Sequence, residues 1–442
     1  MHIHFLQVRK KRSLRSNKDT NGGFGTVNDF GSGLVAVFLK HLKRRTMNYP
    51  EILPAYTGSI LRSLGHKFTY GENQVDPQAD IVLIQTSIVN YFSELIWADQ
   101  IKSQNPGVKV GFVGGMAAGN PHLYDGQADF VIQGESENFL LNQEIGALSG
   151  IVDAGLVEDL DALPFPEWSH IGQSAYNYRL GRRSMGRFLP MLASRGCPMP
   201  CRYYCTYPLV QGQKFRARSP ENVVAEMIYL KERYNAATIM FRDPIFSLKM
   251  ERVARICELI IEKNIHLSWI METHPRFLTP ELIELCARAG CVAVKLGIES
   301  GDLDVMEKSL RTADLHQQEQ IVRSLESNAI QVLAFYILGY FDDTHESVHK
   351  TIKYAAYLNT YGAQFTIATP YPGTQWYKDI RSQGQRYRLD ENLENYNQYH
   401  LVYDHPHLDG QEAARLKSLA YQRYYLRWPY IRKHIMKRRD NK

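Results

Sequence analysis

Six cysteines occur in this chain of 442 residues, and three of them, Cys197, Cys201 and Cys205, fall within nine residues in SRGCPMPCRYYCTYP. Thiols grouped this way in a long chain without a secretory leader point to metal or redox chemistry rather than a disulfide framework. Three thiolates can hold three irons of a cubane cluster and leave the fourth iron free to chelate a substrate or cofactor. A structural zinc ion would call for a fourth Cys or His, and incidental clustering is the remaining reading. Cys257 and Cys286 sit in amphipathic helical stretches and Cys291 opens a strand, all ordinary homes for a small buried hydrophobe.

The trio directly follows a strand-like run, Phe188 to Ser194, which begins an alternating series. Further candidate strands are Thr238 to Arg242, His266 to Met271, Val292 to Ile298, Gln331 to Gly339 and Gln364 to Thr369. Helical stretches separate them: Pro220 to Tyr234, Met250 to Lys263, Pro280 to Ala289 and Thr344 to Leu358. Six strand–helix units of about 30 residues each predict an open, partial (β/α)6 barrel whose strand-end loops carry the chemistry. Ser219-Pro220-Glu221 and Thr279-Pro280-Glu281 begin two of the helices with a capping hydroxyl and a first-turn proline.

The first 150 residues alternate in the same way, with β-rich runs at HIHFLQV, HKFTY, DIVLIQTS, KVGFVGG and DFVIQGE and helices over Pro50 to Leu64 and Tyr91 to Gln104. This pattern predicts a doubly wound parallel sheet of the Rossmann-like kind, with its ligand outside the carboxyl ends of the strands. Gly114 and Gly115 end one strand, and Gly22, Gly23, Gly25, Gly31 and Gly33 follow another, where missing side chains admit a ligand to the backbone. The acidic, proline-containing VEDLDALPFPEW then interrupts both helix and sheet. The fold class is therefore α/β: a sheet domain over 1–150, a linker over 151–184, the barrel over 185–376 and a helical, basic extension over 377–442. The tyrosine-rich part of that extension is placed to close over the barrel mouth.

Composition narrows the partners. Lys and Arg number 52 against 46 Asp and Glu, a net charge of +6 that suits anionic ligands without the density of a dedicated nucleic-acid binder. Lys10, Lys11 and Arg12, with Lys437, Arg438 and Arg439, read as solvated charges, contact with an anionic partner being the other reading. With 44% hydrophobic and 22% charged residues the chain is not disordered overall. No apolar run approaches the ~18 residues that span a bilayer. The start, MHIHFLQVRKKRSLR, lacks a cleavable apolar core, so the expected location is the cytoplasm.

The cysteine stretch resembles the cluster-binding loop of the radical S-adenosylmethionine superfamily. FRDPIFSLKMERV resembles that family's second-strand motif and the passage from LSWIMETHPRFLT to VAVKLGIESGD its third and fourth strands. ILGYFDDT resembles the fifth-strand turn and ATPYPGT the sixth-strand end, all in the family's order. Residues 1 to 150 resemble the cobalamin-binding domain that precedes the barrel in one large subclass, through YPEILPAYTGSILRSLGH, ADIVLIQTS, VGFVGG and ADFVIQGESE. Two departures stand out. The family spaces its cysteines CxxxCxxC, whereas this chain has CxxxCxxxC, which predicts a bulge before Cys205. The Asp-x-His-x-x-Gly motif of mutase cobalamin domains is missing from 1–150, and the nearest match, Asp314-Leu-His316, falls in a barrel helix and reads as a solvated face. The subclass resemblance implies cobalamin held without a protein histidine.

The resemblance implies a 4Fe-4S cluster on Cys197, Cys201 and Cys205, and S-adenosylmethionine on the unique iron, cleaved by one electron to a 5′-deoxyadenosyl radical. It implies Tyr204 beside the adenine, with Tyr203 as the alternative that the extra residue creates. It further implies Asp243 accepting from the cofactor's ammonium, Glu299 and Ser300 at its ribose or carboxylate, and Gly339 presenting backbone to the adenine. Ser87, Gly114 and Gly115 are the candidate cobalamin contacts. For Tyr204, Asp243, Glu299, Ser300 and Gly339, packing, capping or a loop hydrogen bond is the bland alternative. Glu272 and His274 follow the third strand and read as structural. The implied activity is methylation of an unactivated carbon of a small molecule, with flavodoxin or ferredoxin as electron donor. The alternatives are a cobalamin-dependent cyclisation or rearrangement, or a non-catalytic cobalamin-binding module. A methylthiotransferase would need a second set of cysteines in the amino-terminal half, and none is there.

Overall fold

The computed structural model describes residues 1–10, 16–27, 36–37, 50–169, 177–180 and 183–436. The expectations for Lys11, Arg12, Gly31, Gly33, Lys437, Arg438 and Arg439 lie outside the described residues.

Strands that are apolar on both faces need a cover on both faces, and the first sheet has one. Its strands are β1 (His2–Gln7), β2 (Lys67–Glu72), β3 (Ile81–Gln85), β4 (Lys109–Val113), β5 (Phe130–Gln133) and β6 (Gly150–Asp153). They pair in parallel in the order β2-β1-β3-β4-β5-β6. Phe5 and Leu83 face one way and pack with Ala55, Tyr56 and Ile60 of helix α1 (Ile52–Ser63). Their neighbours Leu6, Val82 and Ile84 face the other way and pack with Ala98 and Ile101 of α2 (Tyr91–Gln104). The strand order reverses between β1 and β3, the crevice where doubly wound sheets bind ligands. The sheet runs to Asp153, past the expected limit at residue 150. Its last strand is a short exposed edge with no apolar alternation for a sequence reading to detect.

The barrel begins with an antiparallel pair, β7 (Asn177–Leu180) and β8 (Arg183–Met191), the former inside the span expected to be linker. Then come β9 (Thr238–Phe241), β10 (Ser268–Thr273), β11 (Cys291–Glu299), β12 (Gln331–Leu338) and β13 (Gly362–Ile367). From β8 to β13 the six pair in parallel in sequence order, so the expected open partial barrel is present. Helices α3 (Pro220–Tyr234), α4 (Met250–Glu262), α5 (Pro280–Arg288), α6 (Leu315–Ser327) and α7 (His345–Leu358) wrap its outside. Ser219 and Thr279 cap α3 and α5 as their spacing predicts, accepting from the N–H groups of Asn222 and Leu282. Asp314 caps α6, accepting from the N–H of His316, so the Asp-x-His match is a capping site.

Of the tyrosine-rich extension, Tyr387 and Tyr403 pack with Tyr203, Tyr204 and Tyr340 at the strand ends, whereas its helix α8 (Gly410–Tyr425) lies along the barrel edge. Tyr421 and Tyr425 lay their hydroxyls along β13, the outermost barrel strand. Tyr421 accepts from the N–H of Phe365 and donates to its carbonyl, both at 3.1 Å. Tyr425 does the same at Ala363, at 3.0 and 2.7 Å. An open strand edge exposes unpaired backbone, and these phenols pair it in place of a further strand. Among the described residues no helix is long and apolar enough to cross a membrane.

Candidate active site

The cysteine loop hangs from a two-residue ribbon in which Ser194 and Arg195 pair antiparallel with Ala217 and Arg216. Gly196 then turns the chain at φ +81°, with its missing Cβ 2.1 Å from the carbonyl of Lys214, a space open only to glycine. The Cys197 N–H donates to the carbonyl of Gly212, at 3.1 Å. Pro200–Tyr203 form a 3₁₀ turn, after which the N–H groups of Tyr204 and Cys205 both donate to the carbonyl of Cys201, at 3.1 and 3.0 Å. The extra residue between Cys201 and Cys205 is thereby absorbed as one α-turn rather than a bulge. Positions four apart in a helical turn share a face, so the longer spacing still sets both thiols on one side.

Burial pushes the Cys197 thiol up to about 11, with Cys201 adding to the shift. Cys205 is raised well above its ordinary value by burial and then by Cys201 and Cys197. The three sulfurs thus lie within electrostatic reach of one another in surroundings where a bound cation would deprotonate them. Among the described residues no three His, Cys, Asp or Glu side chains converge on a single metal ion. A cubane takes one thiolate per iron corner, and three neighbouring thiols on one loop fit that demand.

Around the loop the strand-end residues divide. Glu299 reaches the cysteines: it sits at φ +70°, past an irregularity in the β11 register, and pairs with Arg311 at 3.0 Å. A left-handed backbone on a non-glycine residue is strained and persists only where its surroundings hold it. Gly297 makes room, since a Cβ there would lie 2.8 Å from Glu299 Oε1 and 2.9 Å from Arg311 Nη2. Arg311 donates to the carbonyl of Gly297 at 3.1 Å and to Cys201 Sγ at 3.8 Å. Tyr204 packs edge-on to Tyr340 at 5.5 Å, and its hydroxyl accepts from Tyr340 at 3.3 Å. Tyr203 lies along Trp376, and it lines one recess together with Tyr204 and Tyr340.

The other expected contacts serve the framework. Asp243 accepts from the N–H of Ala193 at 2.9 Å and from the Ser194 hydroxyl, fastening the start of the cysteine ribbon from behind. Ser300 bonds Thr351 of α7 at 2.9 Å and accepts from the N–H of Asp302. Gly339 stands at φ +77°, its N–H donating to Asp343 and its carbonyl accepting from Tyr403. His274 accepts at Nδ1 from the N–H of Arg276, which requires the neutral ring; burial and Arg311 push it down to about 3.

A cavity open to solvent, about 700 Å³ when that open space is counted, lies between the carboxyl ends of the first sheet and the barrel mouth. Gln85, Gly114, Gly115 and Gly134 line it from the sheet, Gly22 and Gly23 from the loop after β1, and Leu192, Arg195, Tyr207 and Arg242 from the barrel. Its wall is glycine where two backbones meet: a Cβ on Gly115 would lie 2.3 Å from the carbonyl carbon of Gly23. Gly114 and Gly115 are therefore on the cavity. Ser87 is not among its lining residues; its hydroxyl and N–H donate to Glu94, itself paired with the buried Lys18. No histidine occurs among the described lining residues.

The two domains are clamped beside this cavity. Glu135 and Glu137 of the β5 exit accept from Arg216 and Arg195 at 2.8 Å each. Burial raises Glu135, but Arg195 and Arg216 outweigh it and hold the carboxyl below its ordinary value. Arg311, Tyr207 and this clamp carried no mark in the sequence. Arg311 is 110 residues from Cys201, and a lone arginine after a helix has no local signature.

Residues 191–355 match the model of the Radical SAM superfamily, and the chain carries a radical SAM domain. It is 29% identical over 281 residues to an uncharacterized methyltransferase of Pyrococcus horikoshii, covering 63% of this chain and 59% of that relative's length. It is 24% identical over 345 residues to the bacteriochlorophyllide d C-12(1)-methyltransferase of Chlorobaculum tepidum, covering 75% of this chain and 72% of that one. Its fold is that of TsrM of Kitasatospora setae, a radical S-adenosylmethionine methyltransferase solved with cobalamin and a [4Fe-4S] cluster. That match has a TM-score of 0.67 at 14% identity, over 95% of this chain and 91% of TsrM.

Proposed function

We propose that this chain is a cobalamin-dependent radical S-adenosylmethionine enzyme that methylates an unactivated carbon of a small molecule. The observation that carries the reading is a shared wall. Tyr207, two residues past Cys205, lines the glycine-walled cavity at the sheet ends, so the cysteine loop borders the cavity. The names of the methyltransferase relatives and the groups bound in TsrM support it.

When bound, the cluster supplies the electron that opens the carbon–sulfur bond of S-adenosylmethionine, and cobalamin carries the methyl group. Cys197, Cys201 and Cys205 hold the cluster. Arg311, beside Cys201 and braced by Glu299, offers a guanidinium to the methionine carboxylate. Tyr204 and Tyr340 provide an aromatic wall for the adenine. Asp243 keeps the cysteine ribbon in place. Gly22, Gly23, Gly114, Gly115 and Gly134 leave the corrin's flat face room against backbone. The reaction belongs to the cytoplasm, with an acidic one-electron carrier such as flavodoxin or ferredoxin as donor.

Anaerobic purification, reconstitution with iron, sulfide and hydroxocobalamin, and incubation with dithionite and S-adenosylmethionine test this reading. The expected result is bound iron and corrinoid, release of 5′-deoxyadenosine, and a methyl-sized mass gain in the product. Deoxyadenosine without a methylated product would assign a cyclisation or rearrangement. Corrinoid binding without deoxyadenosine would leave a binding module.

A further inference from the structure

The inner face of the barrel has an apolar floor, where Phe188, Met240, Ile270 and Ala293 pack together. Side chains on a strand alternate, so residues two further along point into the same interior. Those residues are Arg242, directly after β9, Glu272 on β10 and Lys295 on β11. Glu272 and Lys295 stand directly opposite each other in the register. Lys295 Nζ lies 2.7 Å from Glu272 Oε1, and Arg242 donates to that same oxygen. All three side chains are sheltered, at 5% exposure for Arg242 and Lys295 and 16% for Glu272.

One carboxylate oxygen therefore serves two cations. An ammonium has three donors. The second protein neighbour of Lys295 Nζ is the thioether of Met240 at 3.4 Å, a weak acceptor. Asp19, a second carboxyl beside Arg242, is pushed up to about 8 by burial and by Glu51, and it accepts from the N–H of Ile52. A charge-rich layer of this kind inside a protein is costly unless a counter-charge completes it.

There is also room above it. Leu333, Phe335 and Ile337 on β12 are only half-buried although that strand runs between two others, and Gln364 on β13 is likewise half-buried. The barrel interior is not filled by its own side chains. Arg242 also lines the glycine-walled cavity, and Tyr207 lies within electrostatic reach of Arg242, Glu272 and Cys205. The charged layer thus faces the space between the cysteine loop and the cavity.

We propose that Lys295 and Arg242, which share one oxygen of Glu272, anchor an oxyanion of the substrate, a carboxylate or a phosphate-type group. The proposal rests on the reading of the site as a radical enzyme with its substrate in the barrel. It narrows the substrate class to small organic anions.

The test uses the full chain, loaded with iron anaerobically and titrated with inorganic phosphate and, separately, with acetate, by calorimetry and thermal melting. Saturable binding of either anion is expected, and the anion that binds tells a phosphate-type from a carboxylate site. Lys295→Met should weaken it about ten-fold, the scale of one charged hydrogen bond, and Lys295→Arg should restore most of it. Glu272→Gln should tighten it, because the competing carboxylate is gone. A purely structural ion pair predicts that Lys295→Met and Glu272→Gln both destabilise the fold and move anion binding alike or not at all. That outcome, or a wild type that binds neither anion, overturns the proposal. Iron content and deoxyadenosine release, measured on the same samples, report separately on the underlying reading of the site.

Discussion

The cysteine loop and the glycine-walled cavity adjoin one another, yet they present themselves in opposite ways. On the barrel side the chemistry sits in side chains: Cys197, Cys201, Cys205, Arg311 and Glu299 project from a loop and strand ends. On the sheet side the space exists because side chains are absent, at Gly22, Gly23, Gly114, Gly115 and Gly134. Of the polar groups on that side, Lys18 lines the cavity with its ammonium bonded to Glu94, and Ser87, off the lining, is bonded to the same carboxylate. The barrel side therefore binds by specific bonds and the sheet side by shape, and substitutions on each side should fail differently.

The largest effect is expected at the thiols. Cys201→Ala or Cys205→Ala should lose most of the iron and all deoxyadenosine formation while retaining corrinoid. Cys257→Ala, in a buried helix contact with Cys286, should keep its iron. Iron assay with the absorbance spectrum checks both. Equal losses from Cys257→Ala would break the distinction between the two groups of cysteines. The converse belongs to the wall: Gly115→Val has no space beside Gly23 and should expel the corrinoid while leaving iron in place. Arg311→Met stands between the two in size. It should keep both groups but weaken S-adenosylmethionine binding about ten-fold, as judged by equilibrium dialysis.

This contrast also explains what could be read beforehand. The alternation of strands and helices is a periodic signal, so the parallel sheet, the six barrel strands and the Ser219 and Thr279 caps were legible. The cysteines were legible because a thiol trio is rare. Asp243 and Ser87 have the right types at the right strand ends, but Asp243 accepts from the N–H of Ala193 and the Ser87 hydroxyl donates to Glu94, partners that no local pattern encodes. The partners of Arg311 and of Glu135 are distant in the chain, and no local pattern encodes them.

The clamp between the two sides should matter for stability more than for chemistry. Arg216→Met leaves Glu135 buried with Arg195 alone, and removing one partner of a buried pair costs about 3–5 kcal/mol. The pH dependence has a definite sign. Glu135 is held below its ordinary value in the folded chain, so its contribution is present above that value. It is lost as pH falls through the lowered folded one. Thermal melting below pH 5 should show this loss in the wild type and much less of it in Glu135→Gln.

The smallest effect concerns the far edge of the barrel, remote from both sides of the site. Tyr421→Phe removes the one hydroxyl that pairs the N–H and the carbonyl of Phe365, on a strand whose outer edge has no neighbouring strand. Leaving buried backbone groups without partners costs about 1–3 kcal/mol. The ring of Tyr421 still packs edge-on against Phe365 at 5.3 Å, so the apolar contact survives and the loss isolates the hydroxyl. Melting temperature should drop while iron, corrinoid and deoxyadenosine release stay at wild-type levels. If deoxyadenosine release fell with the melting temperature, this strand edge would be coupled to the cysteine loop, and the barrel side of the site would extend to its outermost strand.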